Sequence, residues 1–186
     1  SYIYLPFKKD IKNVISPKNT LGELLNIIKP SIIRKFSKIF GNSSNESSSI
    51  AIFPSNIKKI IEDLKPDIVN LHWTGNEIIS LKDIDKIGCP IVWTLLDMWP
   101  FLGAEHYSNN KRYEEGYTKE NRDKNEKGFD LNKWNWNRKL KYLKKNFTII
   151  SPSDWLMDKA KKSLLFKDKK IKKIHYPLNI DEWKPV

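Results

Sequence analysis

Several function classes are missing their usual residues in this chain. The one cysteine, Cys89, excludes an internal disulfide and any cysteine-built zinc cluster, and fits a reducing compartment such as the cytoplasm. Its 7 glycines form neither a Gly-x-Gly-x-x-Gly turn nor a Gly-x-x-x-x-Gly-Lys-Ser/Thr phosphate loop. Gly-x-Ser-x-Gly is also absent, so the elbow of a serine hydrolase is not signalled. No apolar run approaches the ~20 residues needed to cross a bilayer. Neither a basic-then-apolar leader nor an Arg-rich amphipathic one opens the chain, although Ser1 in place of Met leads us to expect that something upstream was removed.

Arginine is scarce as well. Of 34 basic residues only Arg34, Arg112, Arg122 and Arg138 are arginines, and no nucleic-acid reading motif accompanies them. Bidentate phosphate and base contacts favour arginine, so nucleic acid is not the expected partner despite a net charge of +12. The charge is also uneven: residues 1–41 hold 8 basic against 2 acidic groups, 42–130 hold 11 against 15, and 131–186 hold 15 against 5. Lysine-rich ends around a mildly acidic middle suit an anionic surface or substrate, or simply a solvated lysine surface.

A chain of 186 residues with 39% hydrophobic and 12% aromatic residues is long and apolar enough for one folded domain. From Pro66 onward, short apolar runs alternate with helix-like stretches, which predicts an α/β fold with a Rossmann-like parallel sheet flanked by helices. The runs 67–72, 90–95, 147–151 and 171–175 read as strands, and their β-branched continuity predicts burial on both faces. Helices are expected over 56–64, from a capping box at Ser80 and Asp83 to Ile87, over 131–145, and after Ser153. In 131–145 the inward positions are taken as Leu131, Trp134, Leu140 and Leu143; in the last helix, as Trp155, Leu156, Ala160 and Leu164. Upstream, residues 2–5 read as a strand, 21–40 as an amphipathic helix broken at Pro30, and 41–49 as a polar loop. The aperiodic stretch 96–129 is too long for an idle loop, and its aromatics predict order and function.

Ligands of open α/β sheets bind beyond the carboxyl ends of the strands. Two such ends stand out: Leu71-His-Trp-Thr-Gly-Asn76 and Thr94-Leu-Leu-Asp-Met-Trp-Pro-Phe-Leu-Gly-Ala-Glu-His-Tyr-Ser108. Aromatic faces beside carboxylate and imidazole groups suit a sugar, whose C–H faces stack on rings while its hydroxyls need fixed polar partners. This singles out Asp97 as the catalytic candidate, with His72, Trp73, Asn76, Trp99, Glu105, His106 and Tyr107 as substrate-binding candidates. Each also has a plainer reading: His72 as a core histidine, Asp97 as a cap of the next turn, Trp93 and Trp99 as core, and 105–107 as a surface turn. A zinc site from His72, Asp97 and His106 lacks the expected spacing, and no metal is expected.

The same segments resemble a known family. Pro66-Asp-Ile-Val-Asn-Leu-His-Trp73, Pro90-Ile-Val-Trp-Thr-Leu-Leu-Asp-Met-Trp-Pro-Phe101, Gly103-Ala-Glu-His-Tyr107, Gly128-Phe-Asp-Leu-Asn-Lys-Trp-Asn-Trp136, Ser151-Pro-Ser-Asp-Trp-Leu156 and Ile174-His-Tyr-Pro-Leu-Asn-Ile-Asp181 resemble, in series, the amino-terminal domain of family 4 GT-B glycosyltransferases. The branch is the one building lipopolysaccharide, colanic-acid and capsule-type polysaccharides. The resemblance implies retaining transfer from a nucleotide-sugar donor to a glycan or lipid-linked acceptor, without an obligatory metal or other cofactor. It implies that residues 1–186 form the acceptor-side half of a GT-B fold, incomplete at both ends, with the donor held mainly by a carboxyl-terminal domain. The chain alone is then expected to be inactive. Such a protein is expected in the cytoplasm or at the inner face of the cell membrane. Two departures stand out: Leu96 occupies the place of a family histidine expected to bond the donor sugar, and no glycine-rich first turn precedes the site. A non-catalytic binder of carbohydrate or lipid headgroups, and a lysine-driven binder of membranes or nucleic acid, are the alternatives.

Overall fold

In the computed structural model, residues 2–5, 12–16, 20–39 and 48–183 are described. Four parallel strands, β3 (Val69–Leu71), β4 (Ile91–Thr94), β5 (Phe147–Ser151) and β6 (Lys170–Lys173), lie side by side in chain order. Between them run α3 (Leu81–Asp85), a 3₁₀ turn (Trp99–Phe101), α4 (Arg112–Glu115), α5 (Leu131–Tyr142) and α6 (Asp154–Lys162). Upstream are a two-stranded parallel ribbon of β1 (Ile3–Tyr4) and β2 (Val14–Ile15), then α1 (Thr20–Ile39) and α2 (Ile57–Leu64). The chain is thus α/β, with a parallel sheet flanked by helices.

The register decides how the sheet is used. Leu71, Trp93, Ile149 and Ile171 stand opposite one another on one face, and Val69, Ile91 and Phe147 share that face one layer below. Right-handed crossovers between strands in sequential order put their helices on a single side. Accordingly α3 packs on α5, and Leu81, Ile84, Trp136, Leu143, Leu156 and Ala160 close the core over the sheet. The opposite face carries Asn70, Val92, Thr148 and Lys170, with Ile150 and Lys172 beyond them, and these are half-buried or exposed. The expectation of burial on both faces is therefore corrected: β5 alternates buried and half-buried residues, and in β4 Val92 is half-buried while Thr94 is buried. Buried Thr94 hydrogen-bonds exposed Asn70 on that face at 3.1 Å.

Local chemistry explains several boundaries. Ser80 accepts the Asp83 amide at 3.0 Å and opens α3, as the capping pattern predicts. The Asp83 carboxylate does not complete the box; it caps Ser55 through its amide and hydroxyl at 2.8 and 3.0 Å. Ser153 caps α6 through the Leu156 amide, but Trp155 faces outward. In α5 the inward side is polar: Asn132, Asn135 and Lys139 are buried with Leu131 and Trp136, while Trp134 and Leu140 are exposed. α1 runs through Pro30 without a break. Most of the expected polar loop at 41–49, and Phe40, lie outside the described residues, but Ser48 and Ser49 are described and prove structural.

Candidate functional site

β3 and β4 end side by side, so the residues that follow them meet. Asp97 lies at the centre, 7% exposed. Its Oδ1 accepts the Trp99 amide at 3.0 Å, which makes it the cap of the 3₁₀ turn. Its Oδ2 accepts the Trp73 indole N–H at 3.2 Å and pairs with His106 Nδ1 at 2.6 Å. An ionised carboxylate only accepts, so Nδ1 carries the proton and Nε2 is left to accept from the Ser49 hydroxyl, 2.9 Å away. Ser49 Oγ in turn accepts the Asn76 amide at 2.9 Å. The result is a relay, Ser49 to His106 to Asp97, that also holds Trp73.

Packing fixes the rings of this relay. The His106 imidazole lies between two indoles, 6.2 Å from the Trp73 ring and 6.3 Å from Trp99, nearly parallel to the latter. Gly75 makes this possible, because a Cβ there would come within 2.8 Å of both His106 and Trp73. Ser49, fully buried, is itself pinned: its carbonyl accepts the Trp99 indole N–H at 2.7 Å and Asn135 Nδ2 at 3.2 Å. Serine, histidine and aspartate thus stand in the order of a hydrolytic triad, but the serine has no access to a substrate. The relay acts as a brace.

A carboxylate nest secures the neighbouring segment. Asn76 and Glu77 both take positive φ, at 51° and 60°, which turns the Glu77 side chain back into the chain. Its oxygens accept the amides of Ile50, Ala51, Ile52 and Phe53 at 2.7 to 3.4 Å. Arg138 bonds the carbonyls of Ile50 and Ala51 from the other side. Segment 48–53 is therefore clamped between an anion on its amides and a cation on its carbonyls.

Behind Asp97 lies a second buried cluster. Lys139, fully buried, donates to the carbonyls of Trp99, Leu102 and Gly103, and its Nζ sits 3.8 Å from the centre of the Trp99 ring. Three acceptors and a ring face are the surroundings of an ammonium, although burial pulls its pKa well below the usual lysine range. Glu105 accepts the Tyr117 hydroxyl at 2.6 Å, and its other oxygen has no partner among the described residues. Burial raises the Glu105 carboxyl above its ordinary value, while the Tyr117 bond and the Lys139 charge oppose this.

The sequence candidates therefore divide. Trp73, which bonds Asp97, is exposed, as are His72 and Asn76 after β3 and Leu96 and Tyr107 after β4. His72 is consequently not a core histidine. Trp99 is 1% exposed and Glu105 is buried, so both belong to the support rather than to an open binding surface, and 105–107 is not a surface turn apart from Tyr107. His106 is buried within the relay. Among the described residues no three His, Cys, Asp or Glu side chains are gathered to hold a metal ion. A cavity of about 210 Å³ lies elsewhere, between α2 and α3, lined by Ile61, Glu62, Asp83 and Lys86 among others.

Three members of the site were not read from sequence. Ser49 sat in a stretch that looked like a plain polar loop, and Glu77 gave no local signal. Tyr176 follows β6 and donates its hydroxyl to the Leu95 carbonyl, which brings a third exposed ring to the site. Burial raises its hydroxyl pKa, and the charge of nearby Asp97 raises it further. No protein-family model matches the chain, and comparison with curated proteins and with solved structures gives no significant match.

Proposed function

We propose that this chain forms the acceptor-side half of a retaining GT-B glycosyltransferase that extends a cell-surface glycan from a nucleotide-sugar donor. The supporting observation is the braced Asp97 at the ends of β3 and β4, surrounded by the exposed rings of Trp73, Tyr107 and Tyr176. Rings of this kind stack on sugar C–H faces, and the exposed polar groups of His72 and Asn76, in the stretch that follows β3, suit hydroxyls. In such a transfer the bond from the anomeric carbon to the nucleotide diphosphate breaks, an acceptor hydroxyl oxygen bonds that carbon on the same face, and the hydroxyl proton passes to the departing diphosphate. Positive charge grows at the anomeric carbon meanwhile. Asp97, with both oxygens engaged, serves as a fixed negative charge and not as a proton acceptor. The nucleotide is assigned to a second domain, and the protein to the cytoplasmic side of the membrane.

One observation favours a second reading, a saccharide-binding module without catalysis. Leu96 is 44% exposed beside Asp97, at the position where the resemblance calls for a histidine on the donor sugar, and it offers no hydrogen bond.

Calorimetric titration of the chain with neutral oligosaccharides and with nucleotide sugars tests both. The expected result is saccharide binding that Trp73→Ala weakens about tenfold, or about 1.4 kcal/mol, with no release of nucleotide diphosphate by this chain alone. A gain of nucleotide-sugar affinity in Leu96→His supports the enzyme; no gain supports the module. Absence of any saccharide or nucleotide-sugar binding contradicts both.

A further inference from the structure

Past its carboxyl end, each strand of the four-stranded sheet leads into an exposed aromatic ring. Trp73 follows β3, Tyr107 lies in the loop after β4, Trp155 stands in the first turn of α6 after β5, and Tyr176 follows β6; all are 40 to 53% exposed. A single open ring needs no explanation, but four at one end of one sheet do. Contacts tie them to the strand ends. Trp73 bonds Asp97 at 3.2 Å, and Tyr107 is the neighbour of His106, which pairs with the same carboxylate. The Tyr176 hydroxyl reaches from beyond β6 to the Leu95 carbonyl just past β4, with β5 between them in the sheet and the Tyr107 hydroxyl nearby. Next to Trp155, Asp154 pairs with Lys173 at the end of β6, 2.8 Å away. Side chains of a helix tilt toward its N-terminus, so Trp155 leans back toward the strand ends.

We propose that the acceptor is an extended oligosaccharide laid across the strand ends from β3 to β6, with Trp155 as its outermost platform. The inference rests on the reading of the Asp97 opening as a sugar site and adds the length of the glycan. Three strand spacings of ~4.8 Å make ~14 Å, room for about three or four sugar rings in an extended chain. Each ring offers a face to C–H groups, and the polar groups between them meet hydroxyls. Other occupants fit less well. A dry protein interface would bury the solvent-exposed Lys173–Asp154 pair, whereas glycan hydroxyls bond it where it stands. A single-stranded nucleic acid also stacks on rings, but carboxylates stand beside this row, Asp97 at one end and Asp154 at the other, where its phosphates need cations. No helix among the described residues is long and apolar enough to cross a membrane, so these rings are not the interfacial belt of a spanning helix.

Calorimetry with cello-, malto- and chito-oligosaccharides, from disaccharide to hexasaccharide, tests it, with oligothymidylate as the nucleic-acid probe. In a series that binds, affinity should rise about tenfold from disaccharide to tetrasaccharide and then level off. Trp155→Ala should lower tetrasaccharide affinity about fivefold, leave disaccharide affinity unchanged, and leave thermal unfolding in place because half of that side chain is already in water. Trp155→Phe should restore most of the loss, and Trp73→Ala should weaken both lengths. Equal affinity at every length, or a Trp155→Ala loss that is absent or the same for disaccharide and tetrasaccharide, overturns the extended acceptor while leaving the sugar reading of Asp97 intact. Binding of no saccharide at any length removes that reading and this inference with it. Oligothymidylate bound more tightly than every saccharide overturns the inference in favour of a nucleic acid.

Discussion

Asp97 shows how one residue organises its surroundings. It lies three residues beyond the end of β4, and its carboxylate fixes the Trp99 turn, the His106 ring and the Trp73 indole. Those partners were legible because they lie within short reach of two strand ends. Ser49 was not, since the bond to His106 joins positions far apart in sequence and no local pattern marks it. Glu105 sets a pH dependence. Its carboxyl is held above its ordinary value of 4.5 by burial, so as pH rises past that value the unfolded chain gives up a proton that the folded chain still holds. The folded state then binds more protons, and stability falls as pH rises from there through the raised folded value. Urea unfolding between about pH 5 and about pH 7 should therefore show a decline that Glu105→Gln flattens. Parallel curves for the two proteins would show that Glu105 does not titrate in this way.

Among the elements, β5 was read at its full length, because an apolar run starting after a lysine-rich helix end has few alternatives. Its two faces were misjudged: Thr148 and Ile150 look as apolar or β-branched as their neighbours, yet the sequential strand order leaves their side without covering helices. α5 was misjudged differently. Periodicity assigns Trp134 and Leu140 inward, but the face that packs is chosen by Asn135 and Lys139, which satisfy carbonyls of the loop behind Asp97. Apolar counting cannot see that the loop needs donors. Lys139→Met should accordingly cost about 2 to 4 kcal/mol in urea unfolding, since the carbonyls lose their donor and Glu105 loses a nearby positive charge. A neutral or stabilising result would mean that dry packing serves that position as well as the ammonium.

Across the whole molecule, the alternation of strands and helices was enough to anticipate a parallel α/β sheet, and the rule that ligands gather at strand ends was enough to direct attention to residues 72–107. What binds there is not written in the fold, because many functions share such sheets. The reading as a sugar site rests on Trp73 being held by Asp97 while its ring stays open to solvent. The Trp73 indole N–H is a direct reporter of that claim, assignable among the 7 tryptophans by Trp73→Phe. Trp93 and Trp136 serve as references, because their indole N–H groups are buried without a partner among the described residues. Proton–nitrogen spectra recorded during titration with millimolar oligosaccharide should show the Trp73 indole signal moving to saturation while the Trp93 and Trp136 signals stay in place. A Trp73 signal that stays fixed throughout, with the protein folded, would contradict the account.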